Sequence, residues 1–167
     1  MFRRFAVALL ITGLASCASQ PTQPFVAANA PRDNPLHLCT EEDWSKLQEI
    51  LRPYIEAARA TYPDAKKRFL AGLPERHTFF VTVDLREGPR RERVFLAVDT
   101  IKDGVISGRI WSPLNVVKSW QMGQSYSVSE VEIVDWLITQ PDGSEEGNVV
   151  GKFMDTLPHS CVSETQA

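Results

Sequence analysis

The 167 residues hold only three cysteines, no excess of one charge sign and no apolar run of membrane-spanning length. Eighteen Lys and Arg against 21 Asp and Glu give a net charge of −3, which excludes the broad basic surface needed to neutralise many phosphates. Nucleic acid is therefore not an expected partner. The chain also lacks a G-x-x-x-x-G-K-[ST] loop, a G-x-G-x-x-G turn, an H-E-x-x-H helix and a G-x-S-x-G elbow. Nucleotide, dinucleotide, zincin and serine-hydrolase chemistry thus have no signature, and no cofactor is implied. What remains, 43% hydrophobic and 23% charged, is the composition of one folded domain.

Met1-Phe2-Arg3-Arg4 precedes an apolar stretch over residues 5–14 and then Ala15-Ser16-Cys17, the charged, apolar and small-residue order of an export signal. The apolar part is about half of the roughly 20 residues that a spanning helix requires. Leu14-Ala15-Ser16-Cys17 has the form of a bacterial lipobox. Residues 1–16 are then expected to be removed and Cys17 to carry a diacylglycerol and an amide-linked chain such as palmitate. Ser16-Cys17-Ala18 would alternatively serve cleavage of an ordinary secreted protein. Several acyl chains on one residue make membrane attachment effectively permanent, whereas a single chain holds only marginally. Removal of Arg3 and Arg4 leaves 16 basic and 21 acidic residues, a net of −5. Ala18, in place of an Asp after the anchor, favours the outer over the inner membrane. The expected location is the cell envelope, facing the periplasm.

Pro21, Pro24, Pro31 and Pro35 among polar and small residues predict an extended, solvated tether over residues 17–36. A single domain over 37–162 and a tail over 163–167 follow. Cys39 and Cys161 flank that domain, and in an oxidising compartment they are expected to form a disulfide. The repeated His-x-Cys pairs, His37 with Cys39 and His159 with Cys161, leave a zinc site open, although their spacing departs from the usual closed sites.

The domain reads as α+β, with N-terminal helices packed on an antiparallel β-sheet. Trp44, Leu47, Ile50, Leu51, Tyr54, Ile55 and Ala58 recur at helical spacing. Pro53 predicts a kink or two abutting helices, and Pro63-Asp64 a second short helix ending near Gly72 and Pro74. From residue 77 the period becomes two. A strand over 79–85 turns at Gly88-Pro89, a strand over 93–101 turns at Asp103-Gly104, and a strand over 105–111 returns. Residues 126–139 read as one central strand covered on both faces, and 148–154 as a last short strand.

Gly108-Arg109-Ile110-Trp111-Ser112-Pro113, Gly123-Gln124, Ile133-Val134-Asp135-Trp136 and Gly147-Asn148-Val149-Val150-Gly151 occur in that order. This pattern resembles the YegJ-like family of small bacterial domains of unknown function, over roughly residues 57–157. The resemblance implies an α+β fold, often in envelope proteins; it supplies no established catalytic residue and no cofactor.

Asp135, on an apolar strand, is either an acid with a raised pKa or a structural group that accepts backbone N–H bonds or pairs with an Arg such as Arg109. His77 is a surface residue unless a partner positions it as a base. Arg86, Arg90, Arg91 and Arg93 alternate with Glu87 and Glu92 around Gly88-Pro89, the composition of a solvated hairpin tip or of a contact for an acidic partner. Trp111, Trp120 and Met122 flank the connection over 113–123 and are either core or a ligand or protein contact. Together these features favour a lipid-anchored, non-catalytic module that binds an envelope partner through its sheet and the Trp111 to Trp120 connection. An envelope hydrolase using Asp135 or His77 and a structural spacer lipoprotein are the alternatives.

Overall fold

Apolar spacing between Trp44 and Phe69 produces a single helix, α1 (Glu41–Ala71), which buries Leu47, Leu51, Ala58, Tyr62 and Ala65 on one stripe. The computed structural model describes residues 23–31 and 41–157. Cys17, Cys39, Cys161, His37 and His159 lie outside the described residues, as do the signal segment and the tail. The separate second helix expected from Pro63 is instead continuous with the first, and both Pro53 and Pro63 lie inside α1. Both prolines are exposed. The carbonyls deprived of a partner, on Glu49 and Arg59, therefore lie toward solvent, while the buried stripe keeps its register. Gly72, at φ +95°, ends the helix and returns its N–H to the Phe69 carbonyl, and Pro74 prevents continuation.

The strands are β1 (Thr78–Glu87), β2 (Arg90–Lys102), β3 (Val105–Ile110), β4 (Ser125–Ser129), β5 (Asp135–Thr139) and β6 (Glu145–Gly147); α2 (Val149–Met154) follows. They form one antiparallel sheet in the order β4-β3-β2-β1-β5-β6. The mixed helix and antiparallel-sheet class is as expected, but the sheet dominates and a short helix comes after it. Asp103 and Gly104 both have positive φ, as the turn between β2 and β3 requires. β2 is shared: Arg90 to Ala97 pair with β1, and Leu96 to Lys102 with β3, across a register shift between Val98 and Thr100. At that shift Gly108 lies so close to the Ala97 carbonyl that a Cβ would collide with it.

The single central strand expected over 126–139 is two strands. β4 lies at one edge and β5 between β1 and β6, with a 3-10 turn, Glu130–Glu132, between them. The break is held by α1. Lys66 Nζ lies 2.7 and 2.8 Å from the Glu130 carboxylate, and Arg59 Nε donates to the Ile133 carbonyl at 2.8 Å. The apolar alternation on either side belongs to different strands, so its continuity was misleading. Residues 148–154 are not a strand either, because Asn148 adopts a left-handed conformation (φ 55°, ψ 43°) and redirects the chain into α2.

One face of the sheet packs against α1 and α2 in the main core, where Phe79, Val81, Val83, Leu96 and Ile138 meet Leu51, Ala58 and Val150. The other face carries Phe80, Ala97 and Leu137, with Val26, Phe95 and Trp111 packed on them. All five β5 residues are buried, so the cover on both faces expected of a central strand is present there. Part of that cover comes from the segment expected to be a solvated tether. Residues 23–31 form a strap: Ala27 is buried, Thr78 Oγ1 donates to the Phe25 carbonyl at 2.7 Å, and Asn29 Nδ2 donates to the Asp142 carbonyl at 2.7 Å. The strap is there because the helices cover only one side of a sheet that is apolar on both. Among the described residues no helix is long and apolar enough to cross a membrane.

Candidate functional site

Asp135 is wholly buried at the start of β5. Its Oδ1 accepts the Trp136 N–H at 2.8 Å, and its Oδ2 accepts the N–H groups of Val150 at 2.6 Å and Gly151 at 3.4 Å. Burial raises its pKa, and these backbone donors oppose the rise. The carboxylate therefore ties β5 to the first turn of α2, where unpaired N–H groups favour negative charge. Arg109 instead places Nη2 3.5 Å from Asp99. A second acid acts similarly: Glu92 is buried and accepts the N–H groups of Asn115 at 2.6 Å and of Val116 and Val117 at 2.9 Å. The sequence places Glu92 in the charged run of the hairpin tip, whereas the structure buries it, in line with the strand parity it shares with the core residues Val94 and Leu96.

The Trp111 to Trp120 connection does not form one surface. Trp111 donates its N–H to the Phe95 carbonyl at 2.8 Å and its ring lies 6.4 Å from Phe80, within the second cluster. Trp120 packs edge-on against Tyr126 at 5.1 Å, beside the main core. The two indoles thus serve opposite faces of the sheet, and Met122, two residues beyond Trp120, is 51% exposed. Glu87 holds the same connection, accepting the N–H groups of Lys118 at 3.0 Å and Ser119 at 2.7 Å and the Ser119 hydroxyl. The Ser119 hydroxyl, then the Lys118 N–H and Arg90, hold its carboxyl down to about 2. Arg90 pairs with Glu87 at 3.1 Å, and Arg93 clamps Asp84 at 2.7 and 3.1 Å beneath the Trp44 ring. The hairpin tip is cross-linked more than it is cationic.

His77 lies elsewhere, between the end of α1 and β1. Its Nδ1 is 3.1 Å from the Glu75 carbonyl. A carbonyl only accepts, so Nδ1 carries the proton in the neutral ring and Nε2 keeps its lone pair. Arg76, at φ +61°, occupies a left-handed conformation uncommon for a side chain of its size and sets its guanidinium 4.3 Å over the Phe25 ring. Around these residues is a cleft of about 380 Å³, bounded by the strap at Gln23 and Phe25, the end of α1 at Phe69 and Leu73, and β2 at Asp99. Arg109 and Thr78 also line it. That volume falls within the range of small-molecule sites.

The cleft combines aromatic walls with two guanidiniums, one carboxylate and an imidazole, groups suited to orienting a small anion or zwitterion. His77 is the one sequence candidate found there; Asp135, Trp120 and Met122 do not line it. Arg76, Asp99 and the strap were invisible as a site because the sequence separates Phe25 from Asp99 by a whole helix, a whole strand and most of β2. Among the described residues no three His, Cys, Asp or Glu side chains stand close enough to share a metal ion. Compared with family models, with curated proteins and with solved structures, the chain matches none.

Proposed function

We propose that this chain is a lipid-anchored, non-catalytic binding module of the bacterial envelope, an α+β domain of YegJ-like type, anchored through Cys17 on the periplasmic side of the outer membrane. The cleft beneath the strap carries this reading, because it gathers Arg76, Arg109, His77 and Asp99 around a volume fit for a ligand. Its chemistry selects a small group bearing phosphate or carboxylate. For the hydrolase alternative, Asp135 loses support because both its oxygens are engaged by backbone donors and no solvent reaches them, which leaves His77 as its one candidate.

Cys39 and Cys161 are proposed to pair. Their flanking elements converge on Arg93, whose guanidinium lies 5.3 Å from the Trp44 ring and 3.7 Å from the Met154 sulfur. Closing a loop on the order of 100 residues stabilises a fold by about 4–5 kcal/mol in the chain-entropy account.

Titration of the isotope-labelled mature chain with glycerol 3-phosphate, followed by amide shifts, tests the site. Saturable shifts centred on His77, Thr78 and Asp99, weakened at least tenfold by Arg109→Gln, are expected. Shifts confined to the 118–122 loop, or none at any of these residues, would contradict the assignment.

A further inference from the structure

The strap fixes which end of the domain lies near the lipid anchor. Gln23 borders the end of α1, and only five residues lie between it and Cys17. Six residue steps span at most about 20 Å. β1 runs from Thr78, bonded to the strap, to Glu87 at the hairpin tip. At about 3.3 Å per residue, those two ends stand about 30 Å apart. Even the greatest reach of the link is therefore about two thirds of the distance between the strap end and the hairpin tip, so the strap end is the one held nearer the bilayer.

That end has the surface for the position. Leu70, on the last turn of α1, is 58% exposed, and Leu73 is half-buried beside the strap. Lys67 and Arg76 are exposed on either side of them along the chain, while Lys66 and Arg68 are engaged by Glu130 and Glu146. Leu70 follows Lys67 by three residues, which places both on one side of the helix. An apolar side chain set between cations is the pattern that lies in a lipid interface, the apolar group among the acyl boundary and the cations at phosphate level.

We infer that the end of the domain carrying Lys67, Leu70 and Arg76 is its membrane-facing base, seated on an anionic phospholipid leaflet. This rests on the proposed acylation of Cys17. The full chain, expressed with its own signal, is tested with a photoreactive p-benzoylphenylalanine at position 70 and, in a second variant, at position 90. Leu70 at 58% and the Arg90 side chain at 57% are equally exposed, so accessibility alone does not separate them. After irradiation in membrane vesicles of phosphatidylethanolamine and phosphatidylglycerol, phospholipid adducts at 70 are expected to exceed those at 90 at least tenfold. Lys67→Glu with Arg76→Glu should cut the adduct several-fold. Acylated Cys17 with equal adducts at both positions, or with more at position 90, overturns the orientation and leaves the anchor standing. An unmodified Cys17 overturns both.

Discussion

Glu87 and Asp135 show how two carboxylates in one fold respond oppositely to pH. Hydrogen bonds from Ser119 and Lys118, with Arg90, hold the Glu87 carboxyl down to about 2, below its unfolded value near 4.3. Its contribution is thus fully present above that unfolded value and is lost as pH falls toward 2. Asp135 is raised by burial, so its contribution has the opposite sign: present below the unfolded value near 3.9 and lost as pH rises through the folded one. The acid limb of stability at the hairpin tip therefore belongs to Glu87. Glu87→Gln should flatten that limb and speed amide exchange at Lys118 and Ser119 at neutral pH. Unchanged exchange at both amides would show that the carboxylate does not hold the connection. The sequence disclosed the arginines around Gly88-Pro89 but not this role, because Glu87 and Ser119 are brought together only by the fold.

At the scale of elements, the two prolines of α1 separate a continuous helix from two abutting ones. In a continuous helix, Pro63 removes an internal hydrogen bond, and Pro63→Ala should stabilise the protein by about 1–3 kcal/mol. If residue 63 instead opened a second helix, proline would be favoured there and the same change would lower stability. The melting temperature of Pro63→Ala decides between them by its sign. Period and turn chemistry made β1, β2 and β3 legible, since Phe79, Val81 and Val83 alternate and Asp103-Gly104 admits two positive φ values. The same period misled across residues 126–139, where Glu130 and Glu132 interrupt the apolar pattern and Lys66 and Arg59 supply the partners for a turn. Those partners lie more than 60 residues away, beyond the reach of any local pattern.

At the scale of the molecule, the decisive element is the strap. Proline content made residues 23–31 look like free tether, yet Val26 covers Phe80 and Leu137, and Phe25 is fixed between Arg76 and Thr78. A sheet apolar on both faces, with helices enough for one, was the available sign that some other segment had to cover the second. The docked strap shortens the link to Cys17 and shapes the cleft, so the proposed function and orientation depend on what Cys17 carries. Intact mass spectrometry of the unreduced protein, purified from its native envelope, reads this directly. The account predicts a chain beginning at Cys17, heavier by a diacylglycerol and one amide-linked acyl chain and lighter by the two hydrogens lost when Cys39 and Cys161 pair. A terminus at Cys17 or Ala18 without lipid, or a chain retaining residues 1–16, would contradict it.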